Sequence, residues 1–284
     1  MSRLLFAVAL AAVSAAAEPP PLERARELYN RTEYEAALAL LGPIAHKDSS
    51  TYLLMGQCQY MQGESKKSSE LFLKAVQLDP HSSDNRLWLA RAYGRRAETS
   101  SFFTAPGFAT KARENFEQAI QLNPMNTEAI GDLFEYYLDA PGFLGGGLDR
   151  ASALAKRMSD LNPAEYHWEL ARLAEKRKEY QTAEQHFRSA ADLAPRQIGR
   201  VIDLARFLAK AGRFQESEEA FQQAEKMDPN SPKLLFERAS AYIHAGRNLE
   251  AARQLLKRYL EAPLTPDDPP RSQAERLLKA ASRS

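Results

Sequence analysis

Phe187-Arg188-Ser189-Ala190-Ala191-Asp192-Leu193-Ala194-Pro195 and Phe221-Gln222-Gln223-Ala224-Glu225-Lys226-Met227-Asp228-Pro229 are one segment written twice, 34 residues apart. In each, a phenylalanine, a small residue and a proline keep the same spacing. The spacing extends along most of the chain. Pro80, Pro124, Pro163, Pro195, Pro229 and Pro263 are each preceded, eight residues earlier, by Phe72, Phe116, Ala155, Phe187, Phe221 or Leu255. Five residues before them stand Ala75, Ala119, Met158, Ala190, Ala224 or Arg258, and twelve before them Ser68, Ala112, Ala151, Ala183, Ser217 or Ala251. In the regular stretches a further small residue, Gly56, Ala171, Ala205 or Ala239, recurs twenty-four before the proline. Small residues in mid-helix let two helix backbones approach, and the phenylalanines fill the space between units. Proline ends the second helix, and Gly63, Gly212 and Gly246 fall where the first must end, a usual place for positive φ. A fixed period of this length predicts an all-α stack of helical hairpins.

The pattern resembles the tetratricopeptide repeat family. That resemblance implies pairs of antiparallel helices stacked into a right-handed superhelical solenoid, with the first helices lining a concave surface. About seven helix-turn-helix units are expected: 18–48, 49–82, 83–126, 127–163, 164–197, 198–231 and 232–265. The first is the most degenerate, recognised through Tyr34-Glu35-Ala36-Ala37 and Leu41. In the remaining stretch, 266–284, Asp268 before Pro269-Pro270 starts a helix whose Ala274, Leu277, Leu278 and Ala281 form one apolar stripe. A terminal repeat exposes an apolar face unless something covers it, so this reads as a C-terminal capping helix. The solenoid, 18–265, leaves no room for a separate catalytic domain.

Residues 1–17 read as an export signal. Arg3 supplies the charged start, Leu4 to Val13 the apolar run, and Ala15-Ala16-Ala17 the small residues of a cleavage site. Cleavage after Ala17 gives an exported product, periplasmic or secreted, and the looped units look like those of some exported bacterial tetratricopeptide proteins. The apolar run is too short to span a bilayer of ~30 Å, and no later segment is long and apolar enough to do so. Lys+Arg 38 against Asp+Glu 37, a net charge of +1, argues against nucleic-acid binding. The single cysteine, Cys58, makes no internal disulfide and excludes a multi-cysteine zinc site.

Two units break the period. The extra residues fall between their helices, near 98–110 and 140–147, on the same edge of adjacent units. Both contain the same four letters, Ala105-Pro106-Gly107-Phe108 and Ala140-Pro141-Gly142-Phe143, accompanied by Phe102, Phe103, Leu144 and Gly145-Gly146-Gly147. Insertions in a solenoid commonly map to a binding face. Two readings stand: the loops brace each other, or Phe102, Phe103, Phe108, Phe143 and Leu144 form a contact edge for a ligand or partner.

The concave groove is the other candidate. On the family's pattern, residues after the packed small position turn toward it: Gln57, Arg91, Glu135, Arg172, Arg206 and Ser240. One turn further come Met61, Arg95, Asp139, Lys176, Lys210 and His244. Arg91/Arg95, Arg172/Lys176 and Arg206/Lys210 are basic pairs on one helix face, which repel unless a carboxylate compensates. Glu135, Asp139 and Glu175 supply it from within, or an acidic segment supplies it from a partner. Leu53, Tyr60, Leu87, Trp168 and Phe236 offer apolar contacts to the same surface.

Catalytic constellations are missing from the sequence. His46, His81, His167, His186 and His244 show no metal spacing, and the glycine run has neither a preceding strand nor a following Gly-Lys-Ser/Thr. No cofactor or metal is expected. The expected function is a non-enzymatic scaffold or adaptor of the cell envelope that docks an extended or acidic peptide segment of a protein partner. A structural subunit of an envelope assembly, held through the two loops, is the alternative.

Overall fold

The computed structural model describes residues 20–282, and the expected export segment lies outside them. Among the described residues the chain is all helical, ordered as seven pairs and a final single helix. The pairs are α1 (Pro21–Asn30) with α2 (Tyr34–Leu41), α3 (Ser49–Met61) with α4 (Ser65–Leu78), and α5 (Ser83–Thr99) with α6 (Ala105–Leu122). In the fourth, α7 (Thr127–Asp139) faces a broken second helix, α8 (Leu148–Ala155) and α9 (Met158–Leu161). Then come α10 (Pro163–Lys176) with α11 (Tyr180–Leu193), α12 (Ile198–Lys210) with α13 (Phe214–Met227), and α14 (Pro232–His244) with α15 (Leu249–Glu261). Helix α16 (Arg271–Ala281) follows. Each helix packs on the next, and first helices also touch across units, as α3 on α5 and α12 on α14, which makes the stack a solenoid.

Local chemistry sets where the helices begin and end. Side chains of Asp48, Ser82, Asn126, Asn162 and Ser231 accept from the backbone N–H of Thr51, Asn85, Ala129, Glu165 and Leu234, capping first helices. The turn into the second helix has one geometry in five units. Thr32, Gly63, Lys178, Gly212 and Gly246 sit at positive φ, and the next residue's N–H reaches back across the turn. Those bonds, Glu33 to Leu28, Glu64 to Gln59, Glu179 to Ala174, Arg213 to Leu208 and Arg247 to Tyr242, are all 2.9 Å long and satisfy carbonyls at the helix end. The three glycines behave as their position predicts. Thr32 and Lys178 show that the turn is imposed by the stack even where glycine is missing.

The packing positions are buried as the period requires. Phe72, Phe187 and Phe221 are buried, as are Ala75, Ala171, Ala190, Ala205, Ala224 and Ala239. At Gly56 a Cβ would stand 2.5 Å from the Phe72 ring, so the glycine makes room for the neighbouring aromatic. At the C-terminus α16 lays Ala274, Leu277 and Leu278 against Leu256 and Tyr259 of the last pair.

The two insertions take different forms. The first lengthens both helices of its unit, α5 to 17 residues and α6 to 18, leaving only 100–104 between them. Ala105-Pro106-Gly107-Phe108 therefore lies in the first turn of α6, where proline is tolerated because its missing N–H has no partner to lose. Phe108 is consequently no loop residue: its ring stacks on Tyr93 at 6.2 Å, with the Arg96 guanidinium 3.9 Å from its centre. The second insertion is a true loop, in which Gly142–Leu144 forms a 3₁₀ turn. Gly146 packs so tightly there that a Cβ would lie 1.8 Å from the Ala140 carbonyl oxygen.

Candidate functional site: the groove and the loop edge

All six basic residues expected in the groove meet a carboxylate. Arg91 of α5 reaches Asp132 at 2.6 Å and Glu128 at 2.9 Å on α7, and Arg95 reaches Glu98 at 2.9 Å on its own helix. Arg172 of α10 bonds Glu135 at 3.2 Å, and Lys176 bonds Asp139 at 2.6 Å, both on α7. Arg206 of α12 meets Glu237 of α14 at 3.0 Å, while Lys210 meets Glu175 of α10 at 3.1 Å. Most of these pairs join neighbouring units, as rungs along the inner face. The face is self-neutralised rather than basic.

Asp132 and Glu237 belong to a column of carboxylates that the sequence does not announce. Asp132, Glu169, Asp203 and Glu237 each stand two residues before the packed position of their unit, on α7, α10, α12 and α14. Burial raises the carboxyl of every one above the ordinary range. Arg91 opposes that at Asp132, Lys233 and Arg200 at Asp203, and Arg206 and Lys233 at Glu237. The four recur in register, a signal available from sequence by stepping two places back instead of one forward.

Two cavities open on this surface. The larger, about 840 Å³, lies against α10, α12 and α14 and is lined by Trp168, Arg172, Lys176, Arg206, Lys210 and Glu237 among others. Trp168 is gripped between guanidinium groups, Arg172 at 5.4 Å and Arg200 at 5.5 Å from its ring. The second, about 700 Å³, joins what the sequence treats as two sites: Arg91, Arg95 and Tyr60 line it together with Phe102, Phe143 and Leu144. Asp139 lines both cavities. Phe102, Phe103 and Phe143 are 85%, 91% and 82% exposed, and Phe102 and Phe103 meet edge to face at 5.9 Å. Tyr136 holds the second loop by donating to the Leu144 carbonyl at 2.9 Å.

Some expected contacts lie elsewhere. Leu87 and Phe236 are core residues, 2% and 4% exposed, and Leu53 packs beside Phe72 and Trp88, so the apolar side of the groove is Tyr60 and Trp168. Cys58 is buried, and desolvation pushes its thiol up to about 12, far from a reactive thiolate. His167 and His186 approach Nδ1 to Nδ1 at 3.0 Å, tying α10 to α11. Among the described residues no group of three His, Cys, Asp or Glu is placed to hold a metal, and no helix is long and apolar enough to cross a membrane.

Helical hairpins at a 34-residue period, capped at one end and grooved along the first helices, define a helical-repeat solenoid. The family model of the tetratricopeptide repeat matches residues 145–198 and 202–269. No curated protein matches the chain. A solved tetratricopeptide repeat protein from Parabacteroides merdae is similar with a TM-score of 0.60 at 15% identity, covering 92% of this chain and 97% of its own. A thermophilic TPR protein of Thermus thermophilus has a TM-score of 0.56 at 21% identity over 66% of this chain and 97% of its own. A chain of the APC/C hetero-tetramer Cut9-Hcn1 has a TM-score of 0.53 at 17% identity, over 92% of this chain and 48% of its own. Residues 145–198 and 202–269 thus match the tetratricopeptide repeat, and the same pairing of helices continues N-terminal to them from α1 to α7 in a fold shared with these solved repeat proteins.

Proposed function

We propose that this protein is a non-enzymatic scaffold that docks an extended segment of a partner protein along its concave face, where groove and loop edge meet. The carrying observation is the shared cavity of about 700 Å³, lined by the exposed Phe102 and Phe143 rings together with Arg91 and Arg95. A long preformed surface lowers the ordering cost of binding, and exposed aromatic rings beside charged rungs are typical anchors. The groove cations are already committed to carboxylates, so an acidic partner gains less from them than a free basic face would give. Export to the cell envelope belongs to the same reading, supported by Arg3, the apolar run and Ala15-Ala16-Ala17.

Photo-crosslinking tests the docking. A crosslinker placed at Phe102 and, separately, at Ser240 is expected to trap the same partner chain from an envelope extract, with the capture weakened about tenfold by Phe102→Ala with Phe143→Ala. Unrelated proteins at the two positions would discard a continuous groove. A second reading has its own observation, the three rings more than four-fifths exposed at one edge. It makes the chain a structural subunit held by the loops alone, in which case only Phe102, Phe103 and Phe143 variants release it. Recovery of a mature protein beginning at Glu18 checks export.

A further inference from the structure

Helix α10 carries two proton-sensitive contacts, one immediately before and one immediately after Trp168, a residue of the groove wall. The first is the pair of His167 with His186 of α11, Nδ1 to Nδ1 at 3.0 Å. Such a bond needs a proton on one Nδ1 and a lone pair on the other. The pair accepts one added proton, at the Nε2 of the donating ring, and loses its bond when both rings are charged. Two cationic rings then face each other with their centres 5.2 Å apart, which drives α10 from α11. Burial and the His167 ring accordingly hold His186 below the ordinary imidazole value of 6.5.

The second contact is Glu169, fully buried, with neither oxygen accepting a hydrogen bond. A proton keeps it neutral until about pH 8, because burial, Glu165 and Glu135 all disfavour the charge. The cation that acts on it is Arg200 of α12, which also lies 5.5 Å from the Trp168 ring and is bonded to Glu165 and Asp203. Once ionised, Glu169 competes for that guanidinium and draws it from the ring. The groups facing the two contacts are Glu165 and Tyr166 on α10 itself, Glu135 on α7 with its partner Arg172, His186 on α11 and Arg200 on α12. No group of α8 or α9 acts on His186 or Glu169. The signs are opposite: the histidine pair costs stability as the pH falls below 6.5, and Glu169 costs it as the pH rises from 4.5 to about 8.

We propose that α10 is a two-sided proton switch: the bond between His167 and His186 fails on acidification, the Glu169 site fails on alkalinisation, and either failure unseats Trp168 from the groove wall, so that docking is confined to the range between. Trp168 transmits both failures because its ring is gripped by Arg172 and Arg200 and its backbone joins the two titrating residues. The confinement of docking rests on the groove reading above; the seating of Trp168 does not.

Acrylamide quenching of Trp168 tests the switch, in the full chain carrying Trp88→Phe so that a single tryptophan emits. The quenching constant is expected to be lowest between pH 6.5 and about pH 8, and to rise about twofold at about pH 5 and about pH 9.5. His186→Gln is expected to flatten the acid limb alone, and Glu169→Gln the alkaline limb alone. Hydrogen exchange in α10 and α11 of the chain with its natural Trp88, corrected for the intrinsic effect of pH, is expected to show the same two limbs. A level response in the parent, or limbs unchanged in the two variants, would overturn the switch. Capture of the partner by a crosslinker at Ser240, which lines the same cavity as Trp168, is expected to fall about fivefold at about pH 9.5 and to be restored there by Glu169→Gln. Capture that ignores pH while Trp168 moves would overturn the confinement of docking. No capture at any pH would defeat the groove reading, with the quenching limbs still deciding the switch.

Discussion

The Glu169 carboxyl, sealed from water and without a donor, is pushed by burial up to about 8, with Glu165 and Glu135 adding to the displacement and Arg200 opposing it. Between the ordinary value of 4.5 and that point, the folded chain keeps a proton that the unfolded chain has released. Raising the pH through this window therefore favours unfolding, and above it the whole penalty applies. Glu169→Gln removes the titration. The variant is expected to gain on the parent, on the order of 2 kcal/mol, between pH 5 and pH 8.5, read as the change in urea-unfolding free energy. An identical pH dependence in both proteins would show that Glu169 ionises freely. Gly56 is a second residue whose identity is fixed by a neighbour: Gly56→Ala drives a methyl group into the Phe72 ring and is expected to cost about 1–3 kcal/mol by the same measurement. Gly56→Ala combined with Phe72→Leu, which vacates the ring, is expected to recover part of that loss.

At the scale of the element, Ala-Pro-Gly-Phe shows what the sequence carries and what it does not. The packed positions, Phe72, Ala75, Ala171, Phe187, Ala205 and Phe221, were legible because each is needed in every unit, and need of that kind appears as a period. The four repeated letters have no such constraint. At 105–108 they open α6, since α5 runs on to Thr99 and offers a long neighbour to pack against; at 140–143 they turn, since α7 ends at Asp139 and the glycine run follows. Of the groove's ion pairs, the carboxylates Glu135, Asp139 and Glu175 were legible but not which cation each would meet. The pairs join residues 41, 37 and 35 positions apart, because the inserted units differ in length and blur the spacing. Phe108 was misplaced with the loops, while Phe102, Phe143, Arg91 and Arg95, assigned to two separate surfaces, line one cavity. The second loop is held at Gly146, where any side chain meets the Ala140 carbonyl. Gly146→Ala is accordingly expected to break the turn and speed proteolysis within 140–147, while leaving the circular dichroism of the helices nearly unchanged.

For the molecule as a whole, stability is a sum of neighbour terms. Buried clusters succeed one another along the stack, from Ala25, Tyr29 and Leu41 at one end to Leu235, Leu256 and Tyr259 at the other, and the two ends come within electrostatic reach, Asp267 acting on Tyr29 and Arg271 on Tyr34. The C-terminal end is closed by α16. Its Ala274 is fully buried, Arg253 of α15 donates to the Ala281 carbonyl at 2.7 Å, Arg271 donates to the Ala262 carbonyl at 2.9 Å, and the Tyr259 hydroxyl donates to the Pro269 carbonyl. Removal of 265–284 uncovers Leu256 and Tyr259, strips these bonds from the last pair, and takes from Tyr29 and Tyr34 of the first pair their charged neighbours Asp267, Asp268 and Arg271. Hydrogen exchange measured by mass spectrometry is expected to quicken by about tenfold or more in α14 and α15, to change little in α12 and α13, and to stay at the parent rate from α3 to α8. Arg206 to Glu237 is one link through which loosening passes inward, beside Arg238 to Glu225 at 3.1 Å and Leu234 packed into the preceding cluster, so Arg206→Ala with Arg238→Ala in the truncated chain should confine the change more sharply to the last pair. Uniform quickening from α1 to α15 would mean that the stack unfolds as one body, and that the groove is held by the whole chain and not unit by unit.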